Sequence, residues 1–516
     1  MKKLNLWSLL MLMAIAVATL SSCSKHSKTL DFIPADADFV VGINVADVLE
    51  NAGCEKKDGA VLMAGPLAKL MNLGGEEGTQ ARAFFEGGFI DLDGVFITGS
   101  FSGDVFMMAS VKDEDQLRRY FKDNDWDVDH AGGFSYARRG KYGPAIFWDE
   151  NILAASMQSW RDVDRQLAPI KEMMRRAEKR PLSEVGWKAD ILSSKHAAGA
   201  YVALENLPSI IKSEIRKAGA GQAAQLLDCS LCATLDLSGS KAEFRLSYRD
   251  TDGKQCEMGK EYMKYLRKID TGMLEYLNRY DVAMAACGLS GDMPWKEILE
   301  PIATASRDKD AKEGIAMVLP YLQAWDGTFI VAGGPRKGIE SLSASERQFN
   351  DNWDIVAAVQ LKPGKATQFT NDLRTLVEGA SNQYSGENYE YDPVQQTFVA
   401  VPAHPMVQCA AYSGNGLKID FYNGPTVYVK PEGNTLVAAT RDIAKGDSPA
   451  IKKDLVSGQQ SVLVADLPKD YSILKHFGAS WGLRLVSKID SGETLTTLEL
   501  SGADKPLLES ILSLVL

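Results

Sequence analysis

The sequence predicts an α+β fold: two related domains of mostly antiparallel sheet, with helices on one face, joined by a helix. Three observations carry that prediction. Strand-like runs outnumber helical stretches, and many are separated by short turns, as antiparallel pairing requires. Landmarks recur in the same order in each half of the chain. Between the halves, Met258, Tyr262, Tyr265, Leu266, Ile269, Met273, Leu274 and Leu277 fall at spacings of three and four, the pattern of an amphipathic helix.

Taken in order, the chain passes from Pro34-Ala35-Asp36-Ala37-Asp38 into a strand over Phe39 to Val45, and a helix follows from Val48. Asp93-Gly94-Val95-Phe96-Ile97 matches Asp326-Gly327-Thr328-Phe329-Ile330, each read as a tight Asp-Gly turn into an apolar strand. Met107 to Lys112 leads to a helix around Leu117 to Phe121, as Val356 to Lys362 leads to one around Phe369 to Leu376. Gly143-Pro144 then matches Gly424-Pro425, and Asn151-Ile152-Leu153 matches Asn434-Thr435-Leu436. Leu207-Pro208 and Leu467-Pro468 each close a strand, followed by paired strands over Ala233 to Tyr248 and Leu483 to Leu500. The order predicts a duplicated unit of roughly 200 residues, far longer than a solenoid repeat. The expected division is a first domain 30–250, a linking helix 251–280 and a second domain 281–516 with an insertion near 379–423.

The N-terminus has the parts of an export signal: Lys2 and Lys3, then an apolar run from Leu4 to Leu20, then small residues before a cysteine. The run is shorter than the roughly 20 apolar residues that a membrane span needs. Leu20, Ser21, Ser22 and Cys23 resemble the lipobox of bacterial lipoproteins, which implies cleavage after residue 22, lipid on the Cys23 thiol and a tether over 23–29. Membrane contact is then expected through the lipid anchor. The remaining chain of about 490 residues is long enough for two to four domains. Its 45% hydrophobic and 24% charged residues describe a globular protein. A net charge of -11 argues against nucleic acid, whose phosphates call for clustered Lys and Arg.

The other cysteines, Cys54, Cys229, Cys232, Cys256, Cys287 and Cys409, are too scattered for a disulfide scaffold. Cys229 and Cys232 have redox spacing, but Leu231, Ala233, Leu235 and Leu237 alternate as in a strand, where residues three apart face opposite ways. Buried, unreacted thiols are the expectation. Gly478-Ala479-Ser480-Trp481-Gly482 spells a hydrolase elbow with its elements reversed, helix before and strand after, and no histidine lies beyond His476. Gly219 to Ala224 imitates a dinucleotide loop but follows a helix instead of a strand, and Ser472 to Lys475 copies S-x-x-K without its companion motifs. Asp123, Asp125, Asp127 and Asp129 lack the glycine and glutamate of a calcium loop, and the five histidines show no ligand spacing. No metal, cofactor or catalytic set is expected.

The expected insertion is rich in aromatics among amides and glycines, and Tyr384, Tyr389, Tyr391 and Phe398 are its candidate binding residues for a protein or glycan ligand. Alternation of Tyr389 with Tyr391, and of Leu417, Ile419 and Phe421, equally describes extra strands. The lipobox, the short tether, the Pro-Ala-Asp-Ala-Asp-Phe-Val opening and the two-half layout resemble an uncharacterised family of Bacteroidota envelope lipoproteins, classed as a domain of unknown function. The resemblance implies no activity. Surface lipoproteins of such bacteria resemble one another in acidic residues after the cysteine, and Ser24 to Lys28 has none, so the expected address is the outer membrane facing the periplasm. The expected function is a non-enzymatic binding or scaffolding module. The alternatives are a periplasmic hydrolase with an unrecognised carboxylate site and a surface glycan-binding lipoprotein.

Overall fold

The computed structural model describes residues 27–515, apart from 219–226, 257–262, 278–282, 336–352 and short gaps at 58–59, 102, 104, 141–142, 157–161, 306–308, 384–386, 393, 395–396, 403–406, 423, 447–450, 452, 470–473, 476–477 and 491–492. Cys23, Tyr384, the Gly219 to Ala224 loop and Ser472 therefore lie outside the described residues. The protein is α+β, with two compact units: residues 1–258, 478–481 and 492–516 in the first, and 259–477 and 482–491 in the second.

Unit 1 contains β1 (Phe39–Ile43), α1 (Val45–Asn51), the hairpin β2 (Glu55–Lys57) and β3 (Ala60–Leu62), α2 (Gly65–Leu73) and α3 (Gly75–Glu86). It continues with β4 (Ile90–Gly99), β5 (Val105–Val111), α4 (Glu114–Asp123), β6 (Asp127–Ala131), β7 (Phe134–Arg138), β8 (Ala145–Trp148) and β9 (Ile152–Ser156). Then come α5 (Val163–Lys179), α6 (Gly186–Ile191), β10 (Ala198–Ala203), α7 (Ser209–Ala218), β11 (Ser230–Ser238) and β12 (Lys241–Arg249).

Unit 2 contains β13 (Leu266–Arg267), β14 (Ala283–Leu289), α8 (Trp295–Ala305), α9 (Lys309–Gln323), β15 (Trp325–Pro335), β16 (Trp353–Leu361) and α10 (Lys365–Gln383). After the hairpin β17 (Glu387–Asp392) and β18 (Thr397–Pro402) come β19 (Val407–Tyr412), β20 (Gly416–Phe421), β21 (Thr426–Glu432), β22 (Thr435–Ala439), α11 (Lys453–Val456), β23 (Ser461–Leu467) and β24 (Gly482–Asp490). The chain then returns to unit 1 as β25 (Glu493–Ser501) and α12 (Leu507–Val515).

Every pairing among the described residues is antiparallel, and the two units share one strand order. Unit 1 runs β6-β7-β8-β9-β5-β4-β1-β10-β11-β12-β25. Unit 2 runs β19-β20-β21-β22-β16-β15-β14-β23-β24. The registers agree as well. Val40 faces Thr98 and Tyr201, while Met284 faces Ala332 and Val464. Phe106 faces Thr98 and Ser156, while Val356 faces Ala332 and Ala439. Gly143-Pro144 and Gly424-Pro425 precede β8 and β21, which hold the same place in both orders.

Several local expectations need correction. Asp93-Gly94 and Asp326-Gly327 are not tight turns but lie within bulges of β4 and β15, where five residues of β4 and four of β15 face two-residue steps of the partner. A bulge accommodates the same Asp-Gly chemistry without ending the strand. The expected linking helix 251–280 does not run through: Met263 is helical, but strand β13 and a 3₁₀ turn over Thr271–Leu277 follow, and the turn buries Met273, Leu274, Tyr276 and Leu277 in the unit 2 core. Its apolar spacing of three fits a 3₁₀ segment as well as an α-helix. The Asp270 carboxylate accepts the Gly272 N–H at 2.9 Å, starting the tighter turn. Finally, β25 and α12 place residues 493–515 with the first unit, so the second domain does not take all of 281–516.

Helices cover both faces of unit 1 where β8 and β9 lie. Phe121 of α4 stacks on Trp148 at 5.2 Å, whereas Phe147, pointing the other way, packs in one cluster with Leu167, Ile170 and Met173 of α5. A strand buried on both faces reads as a continuous apolar run, as Ala145–Trp148 does.

Candidate functional site

Of the aromatic candidates, Tyr389 and Tyr391 lie on β17 and Phe398 on β18, with Tyr391 opposite Phe398 and Tyr389 opposite Ala400 in the register. The expected insertion also narrows. β19 and β20 occupy the places of β6 and β7, so Leu417, Ile419 and Phe421 belong to the repeated sheet, and what unit 2 adds between α10 and β19 is the β17–β18 hairpin. Ser480 is exposed on a bend leading into β24, the reverse of the strand-to-helix elbow a nucleophile needs. Asp123 ends α4, Asp125 has a φ of 58°, and Asp127 and Asp129 lie on β6 at the sheet's edge, where charge discourages further pairing. Among the described residues, no group of three or more His, Cys, Asp or Glu is arranged to hold a metal.

Cys229 is not a free thiol: it forms a disulfide with Cys256, with their Cα atoms 6.6 Å apart. Residues three apart on a strand face opposite ways, which keeps Cys229 from Cys232, whereas the β11–β12 pairing brings Cys256, beyond the next strand, back alongside. Cys232 stays free and buried, and burial pushes its thiol up to about 12. Such a thiol is neither a nucleophile nor a ready redox partner at neutral pH.

The disulfide stands beside a cavity of about 330 Å³ in unit 1. Its floor is sheet: Cys232 and Thr234 of β11 lie opposite Ser247 and Arg245 of β12, with Arg249 one step further and Glu493 arriving on the neighbouring β25. Its wall is α6, which contributes Trp187, Asp190 and Ile191, and the bend after it adds Lys195 and His196. Two glycines allow that wall to come close. Gly42 and Gly199 lie opposite each other on β1 and β10, and a Cβ on Gly199 would stand 1.7 Å from the Ile191 carbonyl oxygen.

The loop after β12 closes another side. Gly253, at a φ of +80°, lies so close to Trp187 that a Cβ would meet the indole ring at 2.3 Å. The Gly253 carbonyl accepts a hydrogen bond from Arg249 Nη1 at 3.0 Å. The Cys256 N–H donates to Tyr248 at 2.9 Å, and the disulfide pins the loop's far end.

No family model matches the chain, and no curated protein is similar to it. Among solved structures, crystal form III of TP0453 is similar at 11% identity over 46% of this chain and 86% of that one, with a TM-score of 0.26. Crystal form I of TP0453 gives 10% identity, 44% and 81% coverage, and a TM-score of 0.24. Likeness at this level carries no functional argument.

Electrostatically the cavity runs against the chain. Lys195, Arg245 and Arg249 face Asp190 and Glu493 in a protein of net charge -11. Arg249 Nη2 is 3.8 Å from Glu493, and Lys195 is 4.0 Å from Asp190, so both pairs are loose. His196 Nδ1 donates a hydrogen bond to the Asp236 carboxylate at 2.8 Å, which leaves Nε2 as the ring's other polar atom. These groups can bind and orient an anion. The segments that build the site, 187–196, 232–249 and Glu493, are separated in sequence, so no local motif announces them.

Proposed function

We propose that this chain is an exported lipoprotein, anchored through Cys23 and facing the periplasm from the outer membrane, whose duplicated units serve as a binding or scaffolding module without catalysis. The observation that carries the reading is the Cys229–Cys256 disulfide in a chain that opens with an export signal and a lipobox. Disulfides form and persist in oxidising compartments and are rare where glutathione keeps thiols reduced. The absence of acidic residues from Ser24 to Lys28 supports the periplasmic face. No helix among the described residues is long and apolar enough to cross a membrane, so attachment in this reading falls to lipid.

The test is Cys23→Ala in a bacterial host fed labelled palmitate. The expected result is loss of label and release from the membrane fraction; a variant that stays labelled and membrane-bound refutes the anchor. Thiol trapping of protein taken directly from cells should find Cys229 and Cys256 blocked and Cys232 free after unfolding.

A further inference from the structure

We propose that the cavity between α6 and the β11–β12–β25 sheet binds a small organic acid of about hexose size, held through its carboxylate by Arg249 and Arg245. The inference gives a ligand class to the binding role proposed above and rests on that role alone, not on the lipid anchor.

Arg249 is the central observation. A guanidinium offers five N–H donors. Here one well-formed hydrogen bond goes to the Gly253 carbonyl, Glu493 stands at a loose 3.8 Å, and the buried Nε has no partner. A second buried donor of the same cavity, the Trp187 indole N–H, is also unpartnered. The Arg249 side chain keeps 32% exposure, so its terminal Nη donors can take a further acceptor from the cavity. A carboxylate is the natural one, because its two oxygens match the guanidinium fork.

Arg245 adds a second cation on the same strand face, four residues away, with Glu243 at 3.3 Å as its ion pair. Ser247 lies between them on that face and, with Thr234 on the neighbouring strand, offers hydroxyls to the body of a ligand. Trp187 and Ile191 supply apolar surface. A volume of about 330 Å³ is at the small end of ligand pockets, which admits a monosaccharide or a compact aromatic acid and excludes a folded partner. The site is also preformed, since the disulfide and the Gly253 contact hold the Arg249 loop before any ligand arrives.

The experiment is titration calorimetry on the full lipidated chain in detergent, with two acids and their neutral counterparts: glucuronate against glucose, and phenylacetate against phenylacetamide. Inorganic phosphate is the fifth probe. The expected result is saturable binding of at least one acid, with its neutral counterpart and phosphate binding at least about tenfold more weakly. Arg249→Met and Arg245→Met should each weaken that acid by about tenfold or more, the scale of a lost charge-assisted hydrogen bond. Arg249 also holds the loop, so Arg245→Met, which removes a side chain paired with Glu243 on its own strand, decides the matter if Arg249→Met misfolds. No saturable binding of either acid, equal binding of acid and neutral counterpart, preference for phosphate, or unchanged affinity in a folded Arg245→Met protein would each overturn the assignment. Because the measurement uses purified protein, it stands apart from the Cys23→Ala result.

Discussion

Asp47, in the first turn of α1, shows how burial can reverse a local electrostatic preference. A carboxylate near a helix N-terminus is normally favoured by the dipole. Burial nevertheless pushes Asp47 up to about 7, against the opposing pull of Lys56 and with help from Glu50 and Asp93. The native state therefore holds a proton that the unfolded chain, titrating near 3.8, has released, and stability falls as pH rises through the interval from 3.8 to about 7. Asp47→Asn should flatten that part of the stability profile and raise the melting temperature most above pH 7. Thermal melts from pH 4 to pH 8 check it, and parallel profiles for the two proteins would contradict it. At this scale the sequence was partly legible. The strand alternation around Cys229 and Cys232 argued against pairing them, but Cys256 is 27 residues from its partner and the β11–β12 pairing brings the two together. The cavity was not legible, because Arg249, Trp187 and Glu493 carry no signal until the sheet assembles them.

The elements were legible where turn chemistry and apolar period agreed. Gly143-Pro144 and Gly424-Pro425 precede equivalent strands because both residues suit a short turn entering a strand. Asp-Gly was misread as a turn because a bulge needs the same conformational latitude; Gly327 has a φ of 134°, where a side chain would be strained. The insertion shows what topology adds to composition. β17 and β18 pair with each other in a two-stranded sheet of their own, while the strands after them belong to the repeat. Replacing residues 384–406 by a short Gly-Ser linker should leave one cooperative thermal transition, with the midpoint shifted by no more than about 4 °C. Loss of cooperativity in that variant would show that the hairpin supports the unit 2 fold.

For the whole molecule, the shared strand order and register give the duplication a physical meaning: equivalent face-to-face pairs recur around β1 and β14. The last strand breaks the simple division. β25 pairs with β12 from Lys241–Glu499 to Leu246–Thr494, and α12 follows it into unit 1. There Asn51 accepts the Leu508 N–H at 3.0 Å, and the Leu507 N–H donates to Gly239 at 2.9 Å. Ending the chain after Asp490 leaves the β12 edge unpaired and strips the cavity of Glu493. Hydrogen exchange should then speed up in β12, β11 and α1 while β14, β15 and β16 keep their protection. Faster exchange confined to unit 2 would contradict this assignment of the C-terminus.

The sequence by itself determined the α+β class, the antiparallel character and the order of repeated landmarks, because alternation and turn chemistry are local and survive in any context. The 3₁₀ turn at Thr271–Leu277, the Cys229–Cys256 bond, the return of β25 to unit 1 and the cationic cavity were decided only by tertiary structure. Each depends on which segments meet across long separations, and apolar spacing of three or a lone arginine is compatible with many such meetings until burial and register select one.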